Sequence, residues 1–330
     1  MKFTRRGLLA AGAGLASAGV LGGKVSGRGR ALGQPERLST AHGHFGNAAV
    51  GEVDTSRFNP MAYLKDFDYG TTSTLPDGRT LREYRISAVD LEIEVAPGVF
   101  FPAWAYNGRV PGPTLRAVEG DLVRVHFTNA GSHTHTIHFH GFHAAGMDGV
   151  FEQVPRGGTF TYEFVAEPFG LHLYHCHTPP LKRHIHKGLY GVFIMDPKAG
   201  RPPANEMVMT MNGFDTNFDG ENEIYAVNTV AFYYLRHPIR VRAGELVRIY
   251  LVNLTEFDPI NGFHSHATFF DEYRTGTKLE PGNFTDTIIL GQGERSILEL
   301  RYRTPGLYMF HAHISEFTEL GWTGMFEVVA

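Results

Sequence analysis

The 330-residue chain predicts an all-β protein made of two Greek-key β-sandwich domains. Three observations predict it. Short runs alternate apolar and polar residues with period two. The 39 Gly and 18 Pro supply enough turn formers to join many short strands. A strand pattern beginning at Pro113 returns at Pro238, an internal repeat too long for a solenoid unit.

At the N-terminus, Thr4-Arg5-Arg6-Gly7-Leu8-Leu9 is a twin-arginine pattern. A weakly apolar Ala/Gly/Leu stretch follows to Leu21, and Ala16-Ser17-Ala18 offers a cleavage site. The run is too short and Gly-rich to span a bilayer well. Residues 1–40 are therefore expected to be a twin-arginine signal and linker, and the protein to be exported, periplasmic or extracellular. Residues 41–80 read as an N-terminal arm, in which His42 and His44 are a solvated loop pair.

The first domain is expected over 81–200. Pro113–Val118, the Glu119-Gly120-Asp121 turn and Leu122–Asn129 read as strand, turn, strand, with Val123, Val125 and Phe127 as an inward row. The second domain, 201–330, repeats this with Pro238–Arg242, the Gly244-Glu245 turn and the inward row Val247, Ile249 and Leu251. A later pair of segments also matches. Gly170-Leu171-His172-Leu173-Tyr174-His175-Cys176-His177 is echoed by Gly306-Leu307-Tyr308-Met309-Phe310-His311-Ala312-His313. The Pro/Gly-rich stretch Asp196–Pro203 marks the boundary.

Function is carried by 18 His and a single Cys, which can form no intrachain disulfide. A net charge of -4 gives no polybasic footprint for nucleic acid or an anionic membrane. Four His-x-His pairs stand at matching places in the two repeats: His138/His140, His175/His177, His264/His266 and His311/His313. Strand residues two apart share a face, so each pair presents two imidazoles together, a donor type suited to copper, zinc or iron. Cys176 has the opposite parity to its neighbours, and so has His135 relative to His138. Thiolate and imidazole can therefore meet inside domain 1 while the pairs face out. A thiolate with two imidazoles is a blue-copper donor set. The third donor is expected between Thr178 and Leu189, where His184 and His186 are the candidates.

These residues resemble a known family. His135-Thr136-Ile137-His138-Phe139-His140-Gly141 is similar to the HPxHxHG motif of multicopper oxidases. His175-Cys176-His177 followed by His184-Ile185-His186-Lys187-Gly188-Leu189 resembles their HCH…HxxxGL segment, with a longer spacing from Cys176 to His184. Met147-Asp148-Gly149-Val150 also resembles the family. The likeness runs from about residue 80 to 330 and implies two cupredoxin-like domains.

By this resemblance His135, Cys176 and His184 hold a type 1 copper, with Leu189 in the axial place; Met195 is a weaker axial candidate because it falls in a strand. His138 and His264 hold the type 2 copper. His140, His175, His177, His266, His311 and His313 hold the type 3 pair, making four coppers per subunit. Domain 2 has Asn261 and Ala312 where domain 1 has His135 and Cys176, and no His after His313, so it is expected to lack a blue copper. That matches the two-domain, laccase-like subgroup, in which half-clusters meet between neighbouring subunits of a homotrimer. Asp148, and more weakly Glu316, are the candidate proton-relay acids. The implied reaction passes single electrons from a small reducing substrate, phenol-like or a metal ion, to dioxygen.

Two other readings compete. Copper nitrite reductases share His135, His140 and His175-Cys176, but their catalytic Asp would fall at position 138 and they lack the second His of HCH. A non-enzymatic cupredoxin electron carrier would leave the outward pairs without a role. The remaining histidines, His126, His133, His143, His172 and His237, read as surface or core residues.

Overall fold

The computed structural model describes residues 51–330, and they form four β-sheets with only short helices between strands. The twin-arginine pattern, His42 and His44 lie outside the described residues. No helix among the described residues is long and apolar enough to cross a membrane.

Domain 1 is a sandwich of two sheets. One carries Thr80–Ala96, Leu122–Asn129 and Thr159–Val165; the other carries Thr114–Val118, Tyr190–Asp196, Gly170–His175 and His138–Phe139. Val123, Val125 and Phe127 point into the core between them, against Tyr84, Ile86, Tyr162 and Phe193. Domain 2 repeats the plan. Val247, Ile249 and Leu251 fill its core with Phe263, Phe310 and Trp322. Period-two alternation thus becomes one buried row per strand.

The domains are fused through a third apolar layer. Leu171 and Leu173 of domain 1 pack with Val208, Tyr250, Val252 and Ile297 of domain 2. The strand Val247–Asn253 is consequently buried on both faces, and the polar face its alternation implied is covered. Arg248 is buried on this covered face, in ion pairs with Glu206 at 2.8 Å and Glu299 at 2.6 Å.

The segment read as an N-terminal arm is built into both domains. Phe67–Asp68 pairs in parallel with Thr114 and Leu115, and Thr71–Thr74 pairs with Thr80–Glu83. Leu64 is buried in the domain 2 core, and its carbonyl accepts the Val208 N–H at 2.9 Å. Its polar composition concealed a few apolar anchors, Tyr63 and Leu64 above all.

Candidate metal centre

The strand Gly170–His175 sets the geometry. Its pleat sends Leu171 and Leu173 toward domain 2 and Tyr174 and Cys176 into the domain 1 core. His175 and His177 therefore face away from that core. On the neighbouring strand His138 lies directly opposite His175, and in domain 2 His264 lies opposite His311.

Inside domain 1, Cys176, His135 and His184 are fully enclosed and converge. The Sγ of Cys176 lies 3.3 Å from Nδ1 of His184 and 3.9 Å from Nδ1 of His135, and the two Nδ1 atoms are 3.2 Å apart. These sides close a triangle whose centre is about 2.0 Å from every corner, the length of a metal–imidazole bond. Burial pushes both imidazoles down to about 4, reinforced at His135 by His184 and at His184 by His133 and Arg183. Both rings are neutral at physiological pH and keep a lone pair for a metal. The thiol also accepts the Thr136 N–H at 3.4 Å, and the Thr136 hydroxyl accepts the His177 N–H at 3.0 Å. The donor set and its spacing fit copper.

His184 reaches this cluster from the short helix Leu181–His186. His186, two residues on, points elsewhere. Its Nε2 accepts the Asp215 N–H at 3.2 Å, and its ring packs against Phe101 and Phe257. Leu189 is completely buried; its carbonyl accepts the Cys176 N–H, and its N–H donates to the His184 carbonyl. Met195 lies in the same core, with its methyl group close to Gly141.

Outside the core the eight histidines of the His-x-His pairs form two matching quartets. Ring centroids of His138 and His140 are 5.0 Å apart, as are those of His264 and His266. His175 and His177 stack at 5.9 Å, and His311 and His313 at 6.0 Å. Nε2 of His140 is 3.3 Å from Nε2 of His175, and Nε2 of His266 is 3.0 Å from Nε2 of His311. Main-chain carbonyls fix the tautomers, because a carbonyl can only accept. Nδ1 of His175 donates to the Cys176 carbonyl, and Nδ1 of His311 to the Ala312 carbonyl. Nδ1 of His138 donates to the Asp148 carbonyl, and Nδ1 of His264 to the Asp286 carbonyl. Each Nε2 is left free to bind a metal. Burial, then the neighbouring His175, lowers His140 to about 2; burial also lowers His175, His266 and His311. Among the described residues every close group of these donors comes from a single domain, and no such group joins histidines of both domains.

Asp148 stands beside His138, with Oδ1 at 3.0 Å from Nδ1. It owes this to Gly149, whose φ of +74° lets the turn press so close to Ile137 that a Cβ would lie 2.0 Å from the Ile137 carbonyl oxygen. Glu316 lies in the helix Ser315–Glu319 after His313, and no donor group among the described residues includes it. Sequence reasoning missed four participants. His143 joins His138 and Asp148, its Nε2 3.6 Å from the Asp148 carboxylate. The Asp286 carbonyl accepts from His264 as the Asp148 carbonyl does from His138, with its carboxylate farther off at 4.0 Å. Thr136 holds the thiol and the HCH backbone together. Trp104 packs on both buried imidazoles, at 5.3 Å from His135 and 4.9 Å from His184. Only Thr136 and His143 lay close enough to a motif to be suspected.

Comparison with known proteins agrees with this geometry. Family models described as multicopper oxidase match residues 91–200 and 200–330. A crystal structure of a multicopper oxidase superposes with a TM-score of 0.83 at 58% identity, covering 84% of this chain and 100% of that one. The blue copper oxidase of Nitrosomonas europaea gives a TM-score of 0.66 at 30% identity, covering 74% and 85%. The copper-containing nitrite reductase of Neisseria meningitidis serogroup A is 30% identical over 250 residues, 69% of this chain. The match spans 64% of that relative's length, just under two thirds. The two sandwiches have the cupredoxin-like fold of these neighbours. Matched in both halves and covering a relative of 58% identity over its full length, this chain belongs to the multicopper oxidase family.

Proposed function

We propose that this oxidoreductase takes single electrons from a small reducing substrate, phenol-like or a metal ion, and uses four of them to reduce dioxygen to water. On this reading the enzyme is laccase-like. The observation that carries the reading is the pair of matching quartets, with eight outward imidazoles of which four have fixed tautomers. Nitrite reduction on an isolated copper would use three imidazoles and leave the rest without a role.

His135, Cys176 and His184 would hold a type 1 copper, with the buried Leu189 bonded to the main chain of Cys176 and His184 beside them. His138 and His264 would hold type 2, and the other six type 3. The close pairs divide those six: His140 with His175, and His266 with His311, leaving His177 and His313 to complete the opposite half. Bound copper supplies one-electron redox chemistry at the buried site and oxygen reduction at the imidazole sites. The chain's own residues do the rest. Leu189 offers no lone pair and keeps water away from the buried donors. Cys176 is bonded through the main chain to His175 and His177, so the two donor sets are as close as a polypeptide allows. The Asp148 carboxylate, partly open to solvent and 3.0 Å from Nδ1 of His138, is the group placed to relay protons from solvent toward that site.

With each close donor group confined to one domain, a neighbouring subunit supplies the other half, and a threefold ring closes every such contact. Copper analysis and oxygen uptake with a phenolic donor test the chemistry: four coppers and uptake support it, two coppers and nitrite-dependent turnover refute it. Mixing chains tests the seam. His138→Ala and His264→Ala each disable one half, yet a random mixture restores about a quarter of the complete sites. No recovery on mixing would mean that the halves do not meet between chains.

A further inference from the structure

Between the helix Leu181–His186 and the domain 2 loop at Asp215–Gly220 lies a cleft of about 710 Å³, within the usual range for a small-molecule site. Phe218 and Phe257 give it aromatic walls, and Lys182, Arg183 and Lys187 line it. Lys187 is the unusual member. It is only 8% exposed and forms no ion pair within 4.0 Å among the described residues, although the charges of Asp90 and Arg183 both reach it. What surrounds it is aromatic: the nitrogen is 5.1 Å from the rings of Phe101 and Phe218 and 5.8 Å from that of Trp104. The cleft's two acids do not serve it. Asp215 accepts the N–H groups of Asp219 and Gly220, and Asp219 accepts that of Glu221. A cation set among ring faces with no carboxylate in direct contact is suited to receive an anion on an aromatic body.

The cleft also adjoins the buried donor set. Trp104, which touches the His184 ring at 4.9 Å, packs against Arg183 at 5.2 Å and is the third ring around Lys187. We propose that this cleft receives the electron donor, and that Lys187 selects phenols bearing a carboxylate. The inference rests on the oxidase reading above. Each donor loses one electron and its hydroxyl proton and leaves as a phenoxyl radical. Four electrons and four protons then convert one dioxygen to two waters.

The test uses the copper-loaded enzyme and two probes that cannot be oxidised at a hydroxyl, para-methoxybenzoate and its uncharged counterpart anisole. Calorimetry should show the carboxylate bound about tenfold more tightly or better. Lys187→Met should abolish that preference, and Lys187→Arg should keep it, separating loss of charge from loss of fold. In turnover, Lys187→Met should lower kcat/KM for syringate about tenfold and leave dimethoxyphenol unchanged. Equal binding of the two probes, or equal loss for both donors, overturns the assignment. If neither phenol drives oxygen uptake while para-methoxybenzoate binding still depends on Lys187, the oxidase reading fails and the anion site stands.

Discussion

Arg248→Met should destabilise the protein far more than loss of any surface arginine. Arg248 lies in the layer between the domains with its side chain 2% exposed. It pairs with Glu206 and Glu299 and donates to the Pro202 carbonyl at 2.8 Å. Glu206 is shared with Arg116, which also holds Asp196 at 2.7 Å. Two arginines face three carboxylates in this network, so removing one raises its excess of negative charge from one to two. Breaking such a pair from one side costs about 3–5 kcal/mol. Arg124 offers a control. Its pairs with Glu83 and Glu163 are about a third exposed, and Arg124→Met should cost no more than about 1 kcal/mol. Urea unfolding of both variants at pH 7, followed by circular dichroism, gives the comparison. The double change Arg248→Met with Glu299→Leu should recover part of the loss, because the orphaned carboxylate is gone. Similar small losses for Arg248→Met and Arg124→Met would refute the argument that this layer is dry. Acid adds a second reading. Burial raises Glu206, but its bonds from Arg116, Tyr250 and Arg248 outweigh this and hold it at about 2. Its folded value is below its unfolded one, so its contribution is full above the ordinary glutamate range and is lost as pH falls toward 2.

Three further outcomes follow from the site and its surroundings. Cys176→Ser, nearly isosteric in a closed core, should leave the fold intact, remove the blue colour, and lower copper from about four to three per chain by elemental analysis. Asp148→Asn should slow oxygen reduction about a hundredfold with unchanged copper content, while Asp148→Glu retains most activity; stopped-flow reoxidation by dioxygen measures it. Burial, then the Arg295 charge, outweighs the Pro168 carbonyl bond and lowers His172 to about 4. An unfolded histidine takes its proton near pH 6.5, so wild type loses about 3 kcal/mol from this group as pH falls to 4. His172→Phe should flatten that limb of the stability curve, and an identical acid limb in both proteins would count against it.

Much of this arrangement can be read in the chain because strand pleat is a strict period. Parity alone separates Cys176 from His175 and His177, and it places Val123, Val125 and Phe127 in one core. It does not reveal which sheet faces are covered by the other domain. Arg248 follows the polar phase of its strand and reads as exposed, yet domain 1 closes over it. Trp104 and Asp286 have no motif and come from strands and turns distant in sequence, brought to the site only by sheet order. Lys187 sits inside a recognisable segment, but its aromatic surroundings come from Phe101, Phe218 and Trp104, which no spacing rule connects.

The difference between the two domains shows what the buried site requires beyond the fold. Domain 2 keeps the same quartet, with ring separations within a few tenths of an ångström of those in domain 1, so its backbone supports outward imidazoles equally well. Its core is filled differently. Ala312 is fully buried at the Cys176 place, and Asn261 is held there by Thr255 and the Gly262 N–H. The helix after His313 sends Phe317 inward, stacked on Tyr225 at 3.9 Å. A thiol introduced at position 312 alone would meet aliphatic and aromatic neighbours and no imidazole. Three changes in separate elements, together with removal of a stacked ring, would be needed to rebuild the donor triangle. The quartet survives in both domains because it depends only on pleat and two carbonyl contacts, whereas the buried site depends on a core shaped around it.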